Sequence, residues 1–276
     1  MGKSAPKRRR RRWILLAASL SLLLAALDQR LTTTTYRLAC PKLRQPVCML
    51  LLTDLHSSHF GEGQRRLVER IDRERPDLIL LVGDIYEVKR PEGPVVDLLE
   101  AISPRYPCYF VTGNHEACSA RLGEILALFD QYGVRTLAGE GLAVEVGEQR
   151  LYLCGIDDPA IPGGNRHQLE AALAAREEGL YTVLMAHRPE RFADYAAHPI
   201  DLVAAGHAHG GQWRIPLLLD GLYAPNQGFF PDYTSGVHVL EGTSMVVGRG
   251  VYLEERVVPR IFNRPEVVVI RLEPEA

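Results

Sequence analysis

The sequence predicts an α/β fold: βαβ units first, then a β-rich stretch that closes a second sheet. Three observations carry that expectation. From residue 47 onward, short apolar β-like runs alternate with amphipathic helical stretches. In the C-terminal third, Gly and Pro become frequent and the runs shorten. The chain has 276 residues, and roughly 235 of them follow an N-terminal segment, which suits one large core because single cores stop growing at roughly 250–300 residues.

The N-terminal segment reads in three parts. Residues 1–12 are a basic tail carrying Lys3, Lys7 and Arg8 to Arg12 and no acidic side chain. Residues 13–30 read as a transmembrane anchor or uncleaved signal, since WILLAASLSLLLAAL is uncharged and Asp28 ends it. Fifteen helical residues span about 22 Å, short of a ~30 Å hydrocarbon core, a gap that snorkelling arginines and local thinning would close. No A-x-A cleavage site follows directly, so a retained anchor is expected, with the arginines inside and the body outside. The arginine run also suits anionic headgroups. The alternative is export with cleavage, because Arg10 to Ile14 loosely resembles a twin-arginine signal. Residues 31–45, including the Thr32–Thr35 run, read as a spacer before a domain over 46–276.

In that domain, strands are expected at 47–53, 77–82 and 108–112, with helices at 62–75, 94–102 and 118–132 between and after them. The last has Leu122, Ile125, Leu126 and Phe129 on one face. Shorter β pieces follow at 142–146 and 150–154. Next come a helix at 166–178, a strand at 181–185, a short helix at 189–196 and a strand at 200–204. Antiparallel strands are expected near 211–215, 237–240, 245–251 and 266–272. No repeat, low-complexity tract or interdomain linker interrupts the pattern.

The formal charge of −2 hides an asymmetry: without the basic tail, 25 basic residues face 34 acidic ones. So acidic a body argues against nucleic-acid binding, which needs a basic footprint. The cysteines (Cys40, Cys48, Cys108, Cys118 and Cys154) are odd in number and lack C-x-x-C spacing. A disulfide framework and a thiolate zinc site are therefore not expected. Cys48, Cys108 and Cys154 lie in apolar runs and read as buried small hydrophobes.

Five segments carry the chemistry, each after an apolar β-like run, where open α/β sheets bind ligands. Asp54-Leu55-His56 puts a carboxylate and an imidazole two residues apart, on one side of an extended chain. Gly83-Asp84 offers a carboxylate that can bridge two ions, after a glycine that permits a sharp turn. Gly113-Asn114-His115-Glu116 supplies an amide oxygen, a hard neutral ligand, beside a histidine free for proton transfer or charge stabilisation. His187 follows YTVLMA, and Gly206-His207-Ala208-His209-Gly210-Gly211-Gln212 follows IDLVAA. Each fragment alone is weak. Together, polar residues of these types directly after the most apolar runs are not what an ordinary core contains, because unpaired buried polar groups are costly.

The set D-x-H, G-D, G-N-H-E, H and G-H-x-H resembles the calcineurin-like metallophosphoesterases over residues 47–272. G-H-A-H-G-G-Q, the Asp157-Asp158-Pro159 turn and the N-terminal apolar segment are similar to the membrane-associated or exported bacterial branch of YkuE and YaeI. Ala208 stands where relatives often have Thr, and Met185-Ala186 where Leu-Ser is common; neither touches a proposed ligand. The resemblance implies a four-layer α-β-β-α sandwich of two mixed sheets after one N-terminal apolar helix. It implies two divalent metal ions, Mn, Fe or Zn, with Asp54, His56 and His209 on the first, Asn114, His187 and His207 on the second, and Asp84 bridging. His115 would stand beside the scissile phosphate as acid or electrostatic stabiliser, so Asp84, Asn114 and His115 form the catalytic set. The implied reaction is phosphate-ester hydrolysis, chiefly of diesters, by in-line attack of a metal-bridging hydroxide, with no covalent intermediate. The domain would lie outside the cell membrane on its single anchor.

Two other functions compete. One is a pyrophosphatase acting on a lipid-linked nucleotide such as UDP-diacylglucosamine, which cytoplasmic supply of that substrate would require to face inward. The other is a non-catalytic metal-binding scaffold, which the complete ligand set opposes. Beyond the motifs, His59 is a candidate for lining the cleft, while His167, His198 and His238 read as surface or structural. Arg188 and Asn226-Gln227 are candidates for substrate contact or for ordinary loop hydrogen bonding. Phe229, Phe230 and Tyr233 are candidates for an apolar lip that a lipid substrate would use.

Overall fold

The computed structural model describes residues 5–161, 166–253 and 259–275. Helix α1 (Ala5–Ala26) comes first, with Trp13 to Leu16 and Leu22 to Leu24 exposed. The N-terminal apolar segment is thus helical, yet among the described residues no helix is long and apolar enough to cross a membrane. Arginines occupy the first turns of α1, and the apolar run that remains is only about 22 Å long.

Strand β1 (Thr32–Ala39) corrects the expected spacer. Its threonines are β-branched and suit a half-buried pleated edge. Then follow β2 (Val47–Leu52), a 3-10 turn, α2 (Arg65–Glu74), β3 (Leu78–Val82), α3 (Gly93–Ile102) and β4 (Cys108–Val111). The helix expected over 118–132 starts four residues late, as α5 (Leu122–Gln131), and a separate short helix, α4 (Asn114–Ala117), precedes it. The Ser119 hydroxyl accepts the Arg121 N–H at 2.9 Å in the turn that separates them. After β5 (Arg135–Thr136) come β6 (Glu140–Val146), β7 (Gln149–Gly155), α6 (Arg166–Ala174), β8 (Thr182–Met185), α7 (Phe192–Ala196) and β9 (Leu202–Ala205). A small hairpin, β10 (Tyr223–Ala224) and β11 (Gly228–Phe229), precedes β12 (Gly236–Leu240), β13 (Thr243–Val247) and β14 (Glu266–Glu273).

Two six-stranded mixed sheets result, ordered β1-β14-β2-β3-β4-β5 and β12-β13-β9-β8-β7-β6. Only part of the antiparallel expectation for the C-terminal third holds. β12 and β13 form an antiparallel hairpin on the second sheet, but β13 runs parallel to β9. β14 leaves that sheet for the first, where it lies antiparallel to β2 and parallel to β1. Residues 211–215 form no strand; Trp213 and Ile215 make only isolated bridges, to Ile261 and Leu219.

Alternating strand residues face two different cores. Met49 and Leu51 of β2, Leu78 and Leu80 of β3, and Leu153, Val183 and Leu202 of the second sheet fill the space between the sheets. The alternate residues Leu50, Leu52, Ile79 and Leu81 pack outward on Leu67 and Ile71 of α2, Leu98 and Leu99 of α3, and Phe129 of α5. On the far side, Tyr152, Cys154, Leu184 and Val203 pack on Leu169 and Ala172 of α6 and Phe192 and Tyr195 of α7. Strands buried on both faces read as continuous apolar runs, as parallel sheets covered by helices do. Cys40, Cys48, Cys108 and Cys154 are buried free thiols, and Cys118 is exposed and free.

Candidate metal centre

β2, β3 and β4 of the first sheet and β8 and β9 of the second run parallel within their sheets, and the five motifs follow their carboxyl ends. One ligand atom each from Asp54, His56 and His209 lies within 4.8 Å of the others, and so does one each from Asp84, His187 and His207. Asp84 Oδ2 is 3.3 Å from His187 Nε2 and 3.8 Å from His56 Nε2, so it stands between the two groups. Asp54 Oδ1 is 3.6 Å from His209 Nε2 and 4.0 Å from His187 Nε2. Ligands about 2.1 Å from a shared ion lie about 3.0–3.4 Å apart, so this spacing fits a donor shell better than a hydrogen-bonded cluster. The donors are imidazole, carboxylate and amide oxygen without thiolate, a set that suits Mn, Fe or Zn.

The strongest sign of fit is what these side chains lack. His56 Nε2, Asn114 Oδ1, His187 Nε2 and His207 Nδ1 are buried and have no hydrogen-bond partner. Folded proteins rarely leave buried polar atoms unpaired, because desolvation then goes uncompensated. All four atoms belong to the motif residues and can serve metal ions. Two of the rings are held for that purpose from behind. His187 Nδ1 lies 2.9 Å from the Val82 carbonyl, which fixes its proton there and leaves Nε2 as the donor. His207 Nε2 lies 2.8 Å from Asn226 Oδ1, which leaves Nδ1 as the donor in the same way.

The backbone is bent to bring these groups together. Asp54, His56, Asp84, His207 and His209 all have φ between +45° and +65°. Residues with a Cβ seldom adopt this left-handed region, and such strain concentrates at functional sites. Gly113 shows how tight the approach is: a Cβ there would sit 2.2 Å from Asp84 Oδ1. A Cβ on Gly206 would sit 1.9 Å from Thr53 Oγ1.

Burial sets the charges. It raises the Asp54 carboxyl to about 6 and lowers the His56 and His207 imidazoles to about 3. It also holds His209 well below the usual histidine range. Burial opposes charge on His187 as well, but the adjacent Asp84 and Asp54 carboxylates outweigh it and raise that imidazole to about 10. Burial would likewise raise Asp84, but His187 wins and keeps the carboxyl well below its ordinary value. Two buried carboxylates thus demand positive charge at this spot, the demand a divalent cation meets.

Several supporting residues escaped the sequence reading. Glu116 was part of a quoted motif but had no role. Its buried carboxylate accepts the N–H groups of Asp84 and Gly113 at 2.9 Å each and of Tyr86 at 2.8 Å, tying two motif loops together. Glu87 lies 2.7 Å from His115 Nδ1, and 39 % of the His115 side chain is exposed. Thr53 donates to Asp54 Oδ2 at 2.8 Å. Tyr252 meets the His56 and His209 rings edge-on. A cleft of about 260 Å³ lies over these groups, lined by His56, Glu87, His115, His209, Gln212 and Tyr252. Nothing but the Glu87 carboxylate following Asp84 by three residues hinted at this shell.

The secondary candidates divide. His59 is exposed and outside both donor groups. Arg188 is buried rather than offered to substrate: Nη2 bonds Asp158 at 3.0 Å, and Nη1 reaches Asn226. Asn226 serves His207, while Gln227 closes its own loop through both polar groups of the Tyr233 backbone. Phe229 and Phe230 are exposed, whereas Tyr233 packs edge-on against Phe192. His238 bonds the Ser235 carbonyl, and His167 is exposed on α6.

Comparison with known proteins agrees with this geometry. A family model described as Calcineurin-like phosphoesterase matches residues 49–211. The chain is 24 % identical over 227 residues to the metallophosphoesterase YkuE of Bacillus subtilis, covering 80 % of this chain and 77 % of that one. It is 26 % identical over 240 residues to the phosphodiesterase YaeI of Escherichia coli, covering 82 % of each. Among solved structures it is similar to the sulfate thiohydrolase SoxB of Thermus thermophilus, with a TM-score of 0.51 and 14 % identity, over 82 % of this chain and 56 % of that chain.

Proposed function

The chain belongs to the calcineurin-like phosphoesterase family and is a metal-dependent phosphoesterase; from that premise we propose that it hydrolyses phosphodiesters at a membrane surface. The cofactors are two divalent metal ions. In this reading Asp54, His56 and His209 would hold the first, Asn114, His187 and His207 would hold the second, and Asp84 would serve both. The observation that carries it is the set of four orphaned buried donor atoms aimed among two aspartates. When bound, the ions would supply an activated water and offset charge on the phosphoryl oxygens.

The chain's own residues do the rest. Glu87 accepts the proton on His115 Nδ1, so the ring presents Nε2 to the cleft. There it can protonate the leaving oxygen or stabilise the charge growing on it. The Val82 carbonyl and Asn226 keep two ligand rings in the binding tautomer. A diester is favoured over a monoester by a second cavity of about 390 Å³ beside the first. It shares Glu87 and His115 and adds Asn114, Lys89 and Arg121, leaving room for a second ester substituent. The membrane part of the reading rests on the exposed apolar α1 behind its arginines.

Metal analysis of the purified protein, with turnover of bis-p-nitrophenyl phosphate and p-nitrophenyl phosphate, tests the proposal. Asp84→Asn should lose at least one equivalent of metal and nearly all turnover of the diester. A wild-type protein that carries metal yet stays inert to both esters with Mn²⁺, Fe²⁺ and Zn²⁺ would overturn it and leave the scaffold reading.

A further inference from the structure

We propose that the loop between Gly211 and Tyr233 is a lipid-docking surface that, together with α1, seats the metal cleft on an anionic membrane; the proposal deepens the membrane reading above.

The loop displays its apolar side chains instead of hiding them. Leu217 is 104 % exposed, Leu218 83 %, Phe229 71 % and Phe230 70 %. It is an ordered loop. Leu218 and Leu219 donate to the Ile215 carbonyl at 2.9 and 2.8 Å, Leu222 to Gly211 at 2.8 Å, and Phe230 to Leu222 at 2.9 Å. Leu217 and Phe230 have φ of +68° and +55°, a conformation bulky residues seldom take, and both side chains point out of the loop. Apolar tips held outward on a fixed frame mark an interaction surface rather than a frayed segment.

Two connections say what that surface faces. At one end the loop is part of the metal centre: it starts from the His209–Gly211 turn, Gln212 lines the cleft, and Asn226 bonds His207. From the same end it connects toward α1. Trp213 bridges to Ile261, and the next residue, Phe262, donates its N–H to the Ala26 carbonyl at 2.7 Å. The C-terminal end of α1 is thereby tied to the segment that Trp213 bridges, the helix exposes its leucines, and Arg9 to Arg12 are exposed at its far end. The loop carboxylate of Asp220 faces Arg214 at 3.3 Å. Clustered arginines followed by bare apolar helix suit the headgroups and acyl boundary of an anionic lipid layer. A substrate phosphate in that layer would then lie at the mouth of the cleft.

The chain has two tryptophans, Trp13 on α1 and Trp213 on the loop, which makes the test direct. In full-length protein carrying Trp13→Phe, the remaining indole reports the loop alone. With phosphatidylglycerol vesicles whose acyl chains are brominated, Trp213 emission should fall about twofold relative to unbrominated vesicles, as expected for a residue at the acyl boundary. Leu217→Glu with Leu218→Glu in the same background should remove the quenching while turnover of soluble bis-p-nitrophenyl phosphate stays at its starting rate. Vesicle-bound protein with unquenched Trp213 would overturn the proposal. So would sedimentation showing a dimer that the double substitution dissolves, since the patch would then join two copies. Failure of the phosphodiesterase reading would show separately, as absent turnover of the soluble ester in quenched, vesicle-bound protein.

Discussion

At the scale of single residues, the site depends on protons held in the right place. His115 stands at the exposed edge of the donor cluster, 4.0 Å from Asp84 Oδ2 and 2.7 Å from Glu87. His115→Gln should lower kcat about 10²–10⁴-fold, the usual worth of a positioned acid, with metal content unchanged. Glu87→Gln should lower it less, because the ring remains. Metal content measured beside kcat separates this role from ligation. Asn226 acts one step further out. Its oxygen takes the His207 Nε2 proton, and without it Arg188 Nη1, 2.9 Å from the same nitrogen, can donate instead and move the proton to Nδ1. Asn226→Ala should weaken metal binding about 10–100-fold, and Asn226→Asp should restore most of it. Calorimetric metal titration checks both. The clustering of the motif residues was legible because each follows a run of apolar residues that no core would end in that way. Asn226 and Glu116 were not, because their meaning lies in partners 19 and 32 residues away.

At the scale of elements, the strands were legible and their partners only partly so. Leu78 to Val82 is buried on both faces and reads as a strand from composition alone. The Thr32–Ala39 strand offers no apolar run, and its partner begins at Glu266, so nothing local announced it. β14 was expected as a strand near 266–272, but the same distance hid its sheet, since its run of valines fits either one. Where two elements meet at the site, the fit is steric. Gly113→Ala would push a Cβ to 2.2 Å from the Asp84 carboxylate, and the turns after β3 and β4 would have to part. The expected result is loss of metal binding and a stability loss of about 1–3 kcal/mol, as for other overpacked sites. Denaturant melts with metal analysis measure both. Fully retained metal would show that the two turns move independently.

At the scale of the whole molecule, the proposed ligands are divided between the sheets. Asp54, His56, Asp84 and Asn114 follow strands of the first, and His187, His207 and His209 follow strands of the second. Bound ions therefore hold the sandwich closed at one end, and saturation at a hundredfold over Kd should add about 2.7 kcal/mol of stability. Acid should reverse this. His56 and His207 titrate near 3 in the fold against an ordinary 6.5, so unfolding takes up protons between those values and stability falls with pH. In metal-free protein, Asp54 and Glu116, raised to about 6 and about 8, work the other way above their ordinary 3.8 and 4.5. His209, also held well below its ordinary value, tips the balance, so the net change should be a modest loss from pH 6.5 to 4.5 and a steep one from there to 3. Metal-loaded protein should lose more over the upper range, because every ligating imidazole must stay neutral and Asp54 ionised. Melting curves against pH, with and without chelator, distinguish the two profiles.

The seat of β14 between β1 and β2 orders events in time. The first strand made on the ribosome touches no neighbour in its sheet except the last one made. β1 cannot join its sheet until β14 has been made, so folding cannot proceed from front to back. A chain crossing a membrane N-terminus first would emerge with its leading strand unmatched and wait for its tail.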